Sequence, residues 1–340
     1  MINKIVRLVG VKQFDVYYEE LPLSSDKLVI RPEYLSICAA DLRYYTGQRN
    51  REALKKKLPL SLIHEATGTV LYDPLGRLEA GSKVVMIPNT YSSESDFIKG
   101  NYQKNSCFRS SDIDGFMQDY VLCDYDRVIP LRKGEVDEIY VLSELISTSV
   151  NAVSNSILHM QGACRRIGIW GDGNLGFTTM ITVRSLLPDA EIIIFGHNVR
   201  KSLNFIMADK VYNTENIPSD MELDCAFECV GGVNSVHAIR QSIELVRPQG
   251  CISLLGVSEE PVPIDTRQVL SKGLSLLGNS RSERCDFETA IGIIREHDEF
   301  KTYLGTIISE RKKVKMISDI YYAFEHAQIN DFKTIMKWEM

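Results

Sequence analysis

The stretch Arg166-Ile167-Gly168-Ile169-Trp170-Gly171-Asp172-Gly173-Asn174-Leu175-Gly176 decides how this chain is read. It is a short apolar run, then a glycine turn, then the start of a helical pattern. Gly171, Gly173 and Gly176 stand in the G-x-G-x-x-G spacing. The first glycine lets the chain turn sharply out of a strand, the second lets the backbone approach a pyrophosphate, and the third lets the helix pack close to the sheet. Asp172, Asn174 and Leu175 complete the turn, and the helix behind it offers unpaired N–H groups and a positive dipole end to phosphate oxygens. Alone the spacing is a weak signal. Here it follows a strand, opens a helix and precedes another strand, which is the context it requires.

Working outward, the helical pattern of Asn174–Leu187 stops at Pro188. Then come strand Glu191–Phe195, helix Arg200–Ala208, strands Lys210–Asn213 and Asp224–Val230, helix Asn234–Val246, and strands Cys251–Gly256 and Leu274–Gly278. Strands alternating with helices imply a parallel sheet, and six strands suit a doubly wound Rossmann domain spanning 147–278. Cofactor-binding versions that take NADH carry an acid about 20 residues past the glycines. That place is Gly196, and His197, Arg200 and Lys201 follow it closely. A glycine with bases nearby suits a 2′-phosphate, so the expected cofactor is NADPH. Arg200 and Lys201 also read as a solvated first turn of the next helix.

The first ~145 residues are β-rich and turn-rich, with short β-branched runs at Lys27–Pro32, Gly68–Tyr72 and Lys83–Ile87. Tyr91–Asp114 is polar and irregular, and the tail 279–340 is mixed and reads as packing back on the first part. The expected division is therefore 1–146 with 279–340, and 147–278. Apolar residues make up 44% of the 340, charged residues 25%, and the net charge is -6. That composition excludes disorder and lacks the basic footprint of nucleic-acid binding. Lys55-Lys56-Lys57 and Arg311-Lys312-Lys313-Val314-Lys315 read as solvated faces. No apolar run is long enough to span a membrane, and the N-terminus lacks the apolar stretch of a secretory signal. Cysteines inside apolar runs, among them Cys225, Cys229 and Cys251, fit reduced thiols and a cytoplasmic location. Cys225 and Cys229 share a face of one expected strand and read as core packing.

Thiolate, imidazole and carboxylate occur at Cys38, His64, Glu65 and Glu144. Zinc takes S, N and O ligands, and a catalytic zinc leaves one position open. Each residue has a plainer reading too: Cys38 as a small buried hydrophobe, His64 as a core histidine, Glu144 as part of a helix's first turn.

Taken in order, these segments resemble the zinc-containing medium-chain dehydrogenase/reductase family. The resemblance rests on Cys38 with Asp41 three residues on, Ile63-His64-Glu65, Asp114-Gly115-Phe116-Met117-Gln118-Asp119-Tyr120, Glu144, the glycine turn, Asp224-Cys225-Ala226-Phe227-Glu228-Cys229-Val230-Gly231-Gly232, and Gly250-Cys251-Ile252-Ser253-Leu254-Leu255-Gly256. It implies a GroES-like β-rich catalytic domain beside the Rossmann domain. It also implies zinc held by Cys38, His64 and Glu144, with Glu65 as a fourth or exchanging ligand, and Gly256 near the cofactor. Further segments, among them Phe108-Arg109-Ser110-Ser111 and Ile169-Trp170-Gly171-Asp172-Gly173, are similar to the ribulose-5-phosphate reductase branch of teichoic-acid and capsule synthesis. That branch implies NADPH-linked reduction of ribulose 5-phosphate to ribitol 5-phosphate, a homodimer, and a cytidylyltransferase as the next enzyme and a partner. Two departures stand out. The loop Asn89–Asp112 holds only Cys107, so one zinc per chain and no four-cysteine structural zinc is expected. Ala40 stands where many members have the Ser or Thr that starts a proton relay. Tyr44, a zinc-bound water or a substrate hydroxyl is then the proton source.

A sugar phosphate calls for arginine, whose planar fork bonds two oxygens at once. Arg43, Arg49, Arg109 and Arg281 are the candidates, Arg43 first and Arg109 second. Two other functions stay open: a zinc dehydrogenase of an unphosphorylated polyol or ketose, and a catalytically silent NADPH-binding partner of a cytidylyltransferase.

Overall fold

The computed structural model describes residues 1–91, 97–135, 137–160, 162 and 164–340. The chain divides into two units, Met1–Glu144 with Ser282–Met340, and Leu145–Arg281.

In the second unit, six strands lie in the spatial order Lys210–Asn213, Glu191–Gly196, Arg166–Trp170, Leu223–Glu228, Val246–Leu254, Ser275–Gly278. Every neighbouring pair is parallel. The order reverses at Arg166–Trp170, and in such sheets ligands bind beyond the carboxyl ends of the strands at that reversal. Ile167, Ile169, Trp170, Ile192, Ile193 and Ile194 are all buried, as a parallel sheet covered on both faces demands. Trp170 stacks on Phe195 at 4.1 Å between ring centroids.

Two local readings change. Only Val199–Ser202 is helical where Arg200–Ala208 was expected. Asn198 caps the helix start, and the Lys201 carbonyl accepts both the backbone N–H and the side-chain amide of Asn204, while the Phe205 N–H that would continue the helix goes to the Ser202 carbonyl. The strand at Leu223 ends at Glu228, so Cys229 lies beyond it and does not share a strand face with Cys225. Cys225 instead packs against Cys164 and Cys251. Hydrogen bonds that the Cys225 thiol donates to those two sulfurs, together with burial, push it well above its ordinary range.

In the first unit, one sheet runs Ile308–Val314, Lys333–Trp338, Leu28–Ser36, Glu65–Tyr72, Lys83–Met86, Val128–Pro130. Residues from the C-terminal tail thus supply two strands, and Lys333–Trp338 pairs antiparallel with Leu28–Ser36. The register sets Ser36 opposite both Glu65 and Ile335. That pairing gathers the residues just after Ser36, just before Glu65 and at the start of Lys333–Trp338 at one end of three adjacent strands. Helix Ile317–Ile329 covers the sheet through Ile320, Ala323 and Phe324. Phe324 lies 5.1 Å from Phe14 and 5.0 Å from Tyr45, ring centre to ring centre. Among the described residues, no helix is long and apolar enough to cross a membrane.

Removing a fully buried aromatic leaves a void that its neighbours fill only in part. Phe324→Ala is therefore expected to destabilise the chain by about 3–5 kcal/mol in urea unfolding; a loss below about 1 kcal/mol would mean that the aromatic cluster does not hold this helix.

Candidate active site

Cys38 follows strand Leu28–Ser36 and stands as the N-cap of helix Ala39–Tyr45. His64 and Glu65 open the neighbouring strand. Their ligand-type atoms, one each from Cys38, His64 and Glu65, lie within 4.8 Å of one another, the only such cluster of three among the described residues. Asp41 organises the surrounding backbone without joining the cluster. The Cys38 N–H donates to its Oδ2 and the Ile63 N–H to its Oδ1, each at 3.0 Å. Ile63 holds φ at 73°, a left-handed backbone that a β-branched side chain disfavours, and it delivers His64 directly. The imidazole Nδ1 lies 2.8 Å from Ser110 Oγ and 3.6 Å from Asp41 Oδ1. The ring packs 5.1 Å from Phe108.

Glu65 is wholly buried. Its Oε1 accepts from the Lys333 ammonium, which also donates to the Ile37 carbonyl oxygen, whereas its Oε2 is buried with no hydrogen-bond partner. A buried carboxylate oxygen left unsatisfied beside a thiol and an imidazole is the signature of a cation position. The S, N and O donors suit zinc, so these residues fit the metal the sequence suggests.

Glu144, buried in the first turn of helix Ser143–His159, is close enough for its charge to interact with His64, Glu65 and Lys333. Burial pushes its carboxyl up to about 7, with His64 pulling the other way. For His64, burial opposes protonation, but the charges of Asp41 and Cys38 outweigh it and raise its proton affinity well above the ordinary value. Lys333 is likewise penalised by burial and kept charged chiefly by Glu65 and Cys38. Lys333 escaped the sequence reading. Nothing in Asp331-Phe332-Lys333-Thr334 marks it, and only strand pairing carries it to Glu65.

The arginine candidates part company. The Arg49 N–H donates to the Arg43 carbonyl, so one turn holds Arg43 and Arg49 together, and the Arg49 guanidinium lies over the buried Tyr44 ring at 4.8 Å. Arg109 is spent otherwise: its Nη1 donates to Asp114 O at 3.1 Å and its Nη2 to Leu122 O at 3.0 Å. Arg281 belongs to the other unit, holds φ at 60°, and accepts from Asn151 through its carbonyl.

In the second unit a cavity of about 590 Å³ is walled by Trp170, Gly171, Asp172, Gly173, His197 and Cys229 among others. A Cβ on Gly176 would collide with the Gly171 carbonyl, whereas one on Gly173 would meet nothing within 4 Å. The middle glycine therefore borders open space at the start of helix Asn174–Leu186, room that a pyrophosphate fits. Leu175 accepts the Thr179 hydroxyl through its carbonyl inside that helix. Gly256 stands apart from this wall, its N–H donating to the Glu228 carboxylate. Arg200 and Lys201 have their backbone N–H groups capped by Asn198 Oδ1. The absence of an acid at position 196 is not an absence of carboxylate. Asp172 Oδ2 accepts from the N–H groups of His197 at 2.8 Å and Asn198 at 2.6 Å. The glycine turn folds back on the next strand end, which linear spacing does not show.

The chain matches the alcohol dehydrogenase GroES-like domain over residues 24–133 and the zinc-binding dehydrogenase domain over 193–296. It is 45% identical over 341 residues to a ribulose-5-phosphate reductase of Bacillus spizizenii, with all of both chains covered. It is 40% identical over 343 residues to one of Streptococcus pneumoniae, covering 100% of this chain and 98% of the other. The crystal structure of S. aureus TarJ in complex with NADPH superposes with a TM-score of 0.89 at 39% identity, again over the whole of both chains.

Glu144 supplies a pH test on the metal-free protein. Because the folded chain holds its proton more tightly than the unfolded chain does, its contribution to stability is complete below about 4.5 and disappears as pH rises through about 7. Glu144→Gln is expected to gain stability relative to the native chain across that window; parallel stability curves would show that Glu144 does not titrate there.

Proposed function

The chain belongs to the zinc-binding dehydrogenases with an alcohol dehydrogenase GroES-like domain, and with the ribulose-5-phosphate reductases among them, and from that membership we propose that it reduces D-ribulose 5-phosphate to D-ribitol 5-phosphate with NADPH. The observation that carries the reading is the convergence of Cys38, His64 and Glu65, with one buried Glu65 oxygen unsatisfied, in a chain similar to these enzymes from end to end. Cys38, His64 and Glu144 would hold the zinc, with Glu65 as a fourth or exchanging donor. When bound, zinc supplies a Lewis acid for a ketone oxygen and NADPH supplies the hydride. The protein's share is placement. Asp41 fixes the backbone on either side of the donors, Lys333 balances buried negative charge, and the glycine turn presents N–H groups to the cofactor's phosphates.

For the substrate phosphate, Arg43 with Arg49 is favoured over Arg109, whose fork is taken up by two carbonyls. For the cofactor, Gly196 with His197, Arg200 and Lys201 supports NADPH, as does the likeness to the NADPH complex of S. aureus TarJ. Tyr44 remains the side-chain candidate for the proton source. A catalytic domain of 1–146 with 279–340 and a cofactor domain of 147–278 complete the reading. So do a single zinc per chain, a cytoplasmic homodimer, and service to teichoic-acid or capsule precursor synthesis ahead of a cytidylyltransferase.

Purified protein should consume NADPH when given ribulose 5-phosphate, lose that activity on chelation and regain it with zinc. Full turnover by the metal-free protein, or equal turnover of unphosphorylated ribulose, would refute the assignment. Replacing both Arg200 and Lys201 by Ala should raise KM for NADPH roughly tenfold or more and leave that for NADH unchanged, since a lost hydrogen bond to a charged group costs about 1.5–3 kcal/mol.

A further inference from the structure

Ser110 is 3% exposed and holds φ at 60°, a left-handed backbone that favours glycine. The chain nevertheless keeps a side chain there, and its hydroxyl is aimed at His64. Oγ lies 2.8 Å from the imidazole Nδ1, inside hydrogen-bond distance. Asp41, the other polar group on that side, is 3.6 Å away, and each of its oxygens already accepts a backbone N–H. Ser110 is thus the nearer of the two polar groups that face Nδ1, with Asp41 behind it as an ion-pair partner.

The turn that carries Ser110 is braced on several sides. The Ser110 N–H donates to the Ile113 carbonyl at 2.9 Å, and the Arg109 N–H donates to that of Pro88 at 3.1 Å. The Arg109 guanidinium spans the carbonyls of Asp114 and Leu122, and Lys57 Nζ donates to Ser111 Oγ at 2.8 Å. Phe108, two residues back, packs on the same imidazole. With Nδ1 engaged by Ser110, the nitrogen left for a metal is Nε2. A metal-bound histidine whose second nitrogen is hydrogen-bonded keeps one tautomer and one ring orientation, and losing that partner typically lowers metal affinity about 10–100-fold.

We propose that Ser110 is a positioning residue for the metal ligand His64, acting beside Asp41: its strained turn is retained because it delivers a hydroxyl acceptor to Nδ1–H and so commits Nε2 to the cation. The inference rests on the reading of Cys38, His64 and Glu65 as a zinc site, and it adds a determinant of that site from a loop distant in sequence.

Ser110→Gly separates this role from a structural one, because glycine relieves the left-handed backbone while removing the hydroxyl. Zinc affinity would be measured on the whole chain by competition with a chromophoric chelator, beside thermal unfolding of the metal-free protein and the visible spectrum of the cobalt(II)-substituted form. The expected result for Ser110→Gly is a metal-free unfolding midpoint equal to or above the native one, zinc affinity lower by about 10–100-fold, and shifted cobalt bands. Ser110→Ala should show the same affinity loss together with a lower midpoint. Native zinc affinity and an unshifted cobalt spectrum in Ser110→Gly would overturn the proposal, as would an affinity loss no larger than its loss of metal-free stability accounts for. If the native chain itself binds no zinc, the metal-site reading fails first; if the native chain binds and Ser110→Gly binds equally, only the role of Ser110 fails.

Discussion

Lys333 and Glu65 form an ion pair with both side chains buried, and the first unit's site is arranged around it. Breaking such a pair by removing one partner leaves an uncompensated buried charge, a cost of about 3–5 kcal/mol. Here the pair joins the first residue of the C-terminal strand to the first residue of the strand that follows His64. Its lone cation sits beside a thiol and two carboxyl groups, those of Cys38, Glu65 and Glu144. Ionising acidic groups buried together costs more than it returns unless positive charge comes with them. Lys333 supplies part of it. The Glu65 oxygen without a partner marks where the rest belongs, and a divalent cation satisfies that demand.

His64 is held by two left-handed residues of different kinds, Ile63 in the chain beside it and Ser110 across from its ring. Strained backbone persists only where the surroundings over-determine it. Asp41 pins the first by accepting the Ile63 N–H, and the braced Phe108–Asp114 turn pins the second. The second unit uses the same economy. Asp172, inside the glycine turn, accepts two N–H groups from the start of the loop that carries Arg200 and Lys201, so one carboxylate ties the pyrophosphate turn to the segment expected to face the 2′-phosphate.

The glycine turn, the alternation of strands and helices and the order of motifs were legible because each depends on residues close in sequence. So were Cys38, His64 and Glu65 as donor types, although their spacing is too wide to prove that they meet. Where local reading went astray, competition within a few residues explains it. Asn204 diverts a carbonyl from the helix expected beyond Ser202, and the strand from Leu223 stops before Cys229. Arg109 looked like a phosphate binder because arginine forks suit phosphates; they suit paired carbonyls equally, and that is where this one points.

By itself, the order of residues determined that one part of the chain is a parallel nucleotide-binding sheet, that another is β-rich, and which side chains carry metal-binding chemistry. Periodicity and turn geometry are properties of short segments, and they survive being read in isolation. Only the tertiary structure decided that Glu65 meets Lys333 from 268 positions away, that Ser110 reaches the His64 ring, and that Asp172 closes on the loop after Gly196. Those contacts follow from strand register and from loops folding back, and a buried charge finds its partner through space, where distance along the chain carries no information.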